Sequence, residues 1–138
     1  MSTQVMPKGA VVNQEILLVE QSTMVGSIIV STARQLGLRP VRLVTNIRSA
    51  RRLMEIQAFD GLITSLDDEE ETLQLIQNIR DGVSLCSTET PVAITTAQCD
   101  AQLALRIKVL NVRRILLKPF KIRDLVLTIE ILTGLKTA

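Results

Sequence analysis

Gly61-Leu62-Ile63-Thr64-Ser65, followed by Leu66 and the acidic run Asp67-Asp68-Glu69-Glu70-Glu71, is the stretch on which the reading of this chain turns. A short apolar run stops at a polar residue, carboxylates follow, and a helical pattern of Leu73, Ile76 and Ile79 takes over. That order predicts a strand over 61–64 and a helix beginning inside the acidic run. In an open α/β sheet, ligands and chemistry collect at the carboxyl ends of strands. Ser65 falls at such an end.

The same unit recurs on both sides. Ile16-Leu17-Leu18-Val19 is a continuous apolar run, suited to a strand buried on both faces, and it ends in Glu20-Gln21. Ser22 and Thr23 are N-cap candidates for a helix with Val25, Ile28, Ile29, Thr32, Ala33 and Leu36 inward, closed by Gly37. Val41 to Val44 after Pro40 is a second strand. Asn46 caps a second helix with Ala50, Leu53, Met54 and Ile56 on one side and Arg48, Arg51 and Arg52 on a solvated side. Pro91 opens a fourth strand, Val92 to Thr95. Asp100 caps a fourth helix running through Leu110, with Asn111 as its left-handed C-terminal residue. Ile115 to Leu117 is a fifth strand, stopped by Lys118-Pro119-Phe120, and a last helix runs from about Ile122 to Thr133 before Gly134. Five strands alternating with five helices predict a parallel sheet covered on both faces, in one domain over 15–134 with tails at 1–14 and 135–138.

Composition excludes several chemistries. The chain has no His, which removes a Ser-His-Asp triad, His metal ligands and a phospho-His relay. Cys86 and Cys99 read as free buried thiols of a reducing compartment, which implies a cytoplasmic location. A net charge of +2 and the lack of Trp and Tyr argue against direct nucleic-acid binding. No segment reaches the ~18 apolar residues of a membrane span, and residues 1–14 do not form a signal peptide.

Three anchors, in order, resemble the receiver domain of bacterial two-component response regulators. Ile16-Leu17-Leu18-Val19-Glu20-Gln21 is similar to the family's first strand and acidic pair, and Pro91-Val92-Ala93-Ile94-Thr95-Thr96-Ala97 to its fourth strand with the hydroxyl at Thr96. Leu116-Leu117-Lys118-Pro119-Phe120 is similar to its Lys-Pro ending. The resemblance implies a flavodoxin-like (βα)5 three-layer sandwich with strand order 2-1-3-4-5. It also implies phosphoryl transfer to an Asp at the end of the third strand, assisted by a divalent ion. By position the acceptor falls on Ser65, the acidic pair on Glu20 and Gln21, and the aromatic switch residue on Ile115. Thr96 and Lys118 are retained.

These substitutions imply a degenerate receiver. Mg²⁺ needs hard oxygen ligands, carboxylates among them. Three carboxylates and one lysine leave an excess of negative charge for an ion to neutralise, whereas Glu20 and Lys118 already sum to zero. The expectation is a pocket without metal or other cofactor, in which Lys118 pairs with Glu20 or bonds Ser65. A serine hydroxyl without a general base is a poor acceptor. Asp67 is the alternative acceptor of an active, phosphorylatable regulator, at the cost of a two-residue bulge in the third strand. Its simpler role is a first-turn carboxylate of the third helix.

No catalysis is expected, which leaves a surface. In the family the fourth helix, fifth strand and fifth helix form an output and dimer face. Here the fourth helix is apolar on more than one side, with Ala104, Leu105 and Val109 on one and Leu103, Ile107 and Leu110 on another. Leu103, Arg106, Ile107, Leu110, Arg113 and Arg114 are the expected face toward a signalling partner or a second copy. The expected function is a stand-alone, phosphorylation-independent interaction module, with no DNA-binding domain after Ala138.

Overall fold

The computed structural model describes residues 15–135, so the expected tail at 1–14 and residues 136–138 lie outside the described residues. Ten elements alternate along the described residues. They are β1 (Ile16–Val19), α1 (Thr23–Gln35), β2 (Val41–Val44), α2 (Ile47–Ile56), β3 (Gly61–Ser65), α3 (Glu69–Arg80), β4 (Val92–Thr96), α4 (Ala101–Val109), β5 (Arg114–Leu117) and α5 (Ile122–Leu132). The strands form one parallel sheet in the order β2-β1-β3-β4-β5, as expected for a flavodoxin-like sandwich.

Every residue of β1, β3 and β4 is buried, which is why these strands read as apolar runs rather than alternating ones. Successive side chains point to opposite faces. Leu17, Val19, Leu62 and Ile94 pack with Met54, Ile76 and Ile107 on the α2, α3 and α4 side. Ile16, Leu18, Ile63 and Ala93 pack with Ile29, Leu125 and Ile129 on the α1 and α5 side. The two cores and the sheet between them make the three layers. Gly26 allows α1 to close on β2, since a Cβ there would sit 2.6 Å from Leu43 Cδ1.

Local chemistry sets the helix ends. Ser22 Oγ, Asn46 Oδ1, Asp68 Oδ1 and Asp100 Oδ1 accept from the amides of Val25, Ser49, Glu71 and Leu103 respectively. Asn111 adopts φ 60, the left-handed geometry expected of it.

Several inward assignments need correction. Ile28 and Ile56 are exposed, and so is Leu36, which caps the end of α1 rather than lying within it. In α4 the two stripes are reversed. Ile107 and Leu110 are buried at 2% and 7% exposure and belong to the core, and Leu103 packs against them. Ile107 and Leu110 are therefore core residues rather than outward partner residues, whereas Leu103 keeps a partly exposed edge on the cleft. The exposed apolar groups of α4 are instead Leu105 and Val109, at 64% and 83%. Cys86 is buried, whereas Cys99 is only half-buried.

Candidate functional site

The carboxyl ends of β1, β3 and β5 bring Glu20, Ser65 and Lys118 together, three of the five pocket residues expected from sequence. Glu20 follows β1 and is 3% exposed. Its Oε2 accepts from the amide of Ser22 at 3.0 Å, and its Oε1 accepts from Lys118 Nζ at 3.1 Å. Lys118 also donates to Ser65 Oγ at 2.9 Å. The lysine follows β5, and its ammonium reaches past β4 to residues at the ends of β3 and β1. A carboxylate this deeply buried is tolerable only with such a partner.

The remaining residues do not join this network. Gln21 is exposed. It borders a niche of about 80 Å³ with Ser65, Asp67 and Asp68. Thr96 Oγ1 donates to Gln98 O at 2.9 Å, within its own loop. Ile115, at the expected switch position, is half-buried and packs against the core. Asp67 is exposed beyond the strand. The register from Leu62↔Val92 to Ser65↔Thr95 runs one to one, so β3 lacks the bulge that would bring Asp67 into the acceptor position. Asp68 is a helix cap, and Glu69, Glu70 and Glu71 form the first turn of α3.

A divalent cation does not fit this donor set. Glu20, the one carboxylate among the expected pocket residues, has an oxygen on an ammonium and the other on an amide, and Ser65 offers a neutral oxygen already bonded to the same lysine. Among the described residues, no three His, Cys, Asp or Glu side chains come together as a metal site.

Beside the pocket lies a cleft of about 660 Å³, walled by Leu66, Asp67 and Glu69 on one side and by Thr96, Cys99 and Arg106 on the other. Arg106, an expected partner-face residue, pairs within the domain with Glu69, and with Glu70 Oε2 at 3.0 Å. Arg114 is 4.0 Å from Asp124, and Arg113 is exposed.

Two features escaped the sequence reading. Arg80, at the end of α3, donates to the carbonyls of Leu110, Thr88 and Thr90 at 2.8, 2.9 and 2.7 Å and to that of Asn111 at 3.4 Å. Burial lowers its pKa. Thr95 Oγ1 is buried without a hydrogen-bond partner among the described residues. Carbonyl partners carry no side-chain signature, and an orphan hydroxyl has no signal in the chain beyond a polar residue within an apolar run.

No protein-family model and no curated protein matches the chain. Solved structures do. A response regulator from Thermotoga maritima superposes with a TM-score of 0.76 at 20% identity, over 89% of this chain and 99% of that one. A chemotaxis protein of Vibrio cholerae matches with a TM-score of 0.74 at 19% identity, over 85% and 96%. The receiver domain of a sensor histidine kinase from Pseudomonas aeruginosa, which has a magnesium ion coordinated in its active site cleft, matches with a TM-score of 0.72 at 26% identity, over 88% and 98%. The chain has the receiver fold.

Proposed function

We propose that this receiver-fold protein is a degenerate receiver of bacterial two-component signalling that works as a phosphorylation-independent protein-interaction module. The observation that carries this reading is the contact of Lys118 Nζ with both Ser65 Oγ and Glu20 Oε1. It fills with internal hydrogen bonds the position where an acceptor carboxylate and its ion would stand. The base that a serine acceptor needs is also missing, because Glu20 is committed to the lysine.

The outward groups of α4, β5 and α5 supply the binding face. Leu105, Val109, Leu117 and Ile122 are exposed apolar residues. Arg113, Lys108, Lys121 and Arg123 surround them with positive charge, which speeds association with an acidic signalling partner. No helix among the described residues is long and apolar enough to cross a membrane.

The test is a titration with beryllofluoride and Mg²⁺, followed by amide NMR. A degenerate pocket leaves the resonances of Ser65, Asp67 and Thr96 in place. Saturable shifts centred on Asp67 would establish the alternative, an active regulator phosphorylated at that residue.

A further inference from the structure

α4 is the least anchored helix of the domain. Of its nine residues only Ile107 is buried, whereas α3 buries Thr72, Leu73, Leu75, Ile76 and Ile79. The cleft of about 660 Å³ runs along its N-terminal half. Arg106 crosses the mouth of that cleft from α4 to the first turn of α3. Its guanidinium pairs with the Glu69 carboxylate, and it meets Glu70 Oε2 at 3.0 Å and Oε1 at 3.2 Å. The two carboxylates sit in the first turn of α3, where the helix dipole favours negative charge.

We propose that Arg106, Glu69 and Glu70 form an ion-pair latch that holds α4 down across the cleft. Release of the latch lets α4 lift and opens the cleft, with Cys99 in its wall, to solvent. The latch concerns the motion of α4 alone and stands whether or not the pocket is phosphorylated. Both ends are exposed, so the contact is weak, screened by salt and readily reversed. An acidic group approaching α4 competes with Glu69 and Glu70 for Arg106. The latch therefore sets a threshold for acidic partners at this helix.

The two cysteines report on it. Cys99 is half-buried in the cleft wall, with Sγ 3.7 Å from Asp100 O. Cys86 is buried away from the cleft, and burial raises its thiol pKa, so it serves as the internal reference. The full chain is labelled with a small uncharged maleimide, and each cysteine is followed by mass spectrometry. Arg106→Gln, and Glu69→Gln with Glu70→Gln, are each expected to speed Cys99 labelling about two- to fivefold, the range open to an exposed pair. Salt raised to about 1 M, where screening acts within ~3 Å, is expected to accelerate the wild type but not Arg106→Gln. Arg106→Lys recovers part of the protection. Equal Cys99 rates across variants and salt, or Cys86 accelerating in step with Cys99, overturn the latch.

Discussion

Lys118 Nζ lies 2.9 Å from Ser65 Oγ, joining the ends of β5 and β3, two strands that β4 keeps apart in the sheet. The same ammonium neutralises a carboxylate that is 3% exposed. Lys118→Met therefore strands Glu20 without a cation. Breaking a fully buried pair costs about 3–5 kcal/mol, and the solvent access of Lys118 brings the expected loss to roughly 2–3 kcal/mol. Glu20→Gln combined with Lys118→Met is expected to recover much of it. Urea unfolding of the single and double variants measures both.

Ser65→Asp supplies the missing carboxylate beside Glu20. Two carboxylates then face one lysine, and a divalent cation gains a net charge to neutralise. Calorimetry is expected to show Mg²⁺ binding to Ser65→Asp and none to the wild type. Binding of equal strength to both would remove the charge argument for an ion-free pocket.

Thr95 Oγ1 is buried and accepts or donates no hydrogen bond among the described residues. Thr95→Val keeps the shape of the side chain and removes the unpaired hydroxyl, which is expected to stabilise the domain by about 1 kcal/mol. The corresponding rise in Tm, about 4 °C for a domain of this size, is within reach of a thermal melt.

Arg80 ties the α3–β4 and α4–β5 loops to the end of α3 through four carbonyls. Arg80→Ala leaves those carbonyls without their charged donor, and the expected destabilisation is about 2–4 kcal/mol. Lysine carries the charge but not the planar fork, so Arg80→Lys is expected to recover only part of it in the same denaturation experiment.

The reversed stripes of α4 separate stability from binding. Ile107→Ala opens the core and is expected to cost about 2–5 kcal/mol. Leu105→Ser and Val109→Ser lie outside and are expected to change stability by less than about 0.5 kcal/mol. If the α4–β5–α5 face binds a partner, the two serine variants and charge reversal of Arg113 weaken capture of that partner at unchanged melting temperature.

What could be read in advance, and what could not, follows from the range of each interaction. β1, β3 and β4 are legible because burial on both faces leaves an unbroken apolar run bounded by Pro, Gly or polar residues. The Glu20–Lys118 pair is legible from charge, since each is the other's natural counterion in a pocket placed by the Lys-Pro ending. The faces of α4 are not, because Leu103-Ile107 and Leu105-Val109 both repeat at four residues, and periodicity cannot choose between two apolar stripes on one helix. Arg106 meets Glu69 and Glu70 across more than thirty residues, and Arg80 binds main-chain carbonyls 8 to 31 residues on, so no local side-chain spacing announces either.

The closed contact between Lys118, Ser65 and Glu20 also bears on how information could pass through such a domain. A phosphorylatable receiver reports by occupancy, because a fixed number of molecules divides between two states. On the proposed reading, a domain whose pocket is filled by its own side chains has no such division. The fraction of partner engaged then follows the number of copies present. Its dial is dosage, set by synthesis and degradation, and its response time is that of protein turnover rather than of phosphoryl hydrolysis.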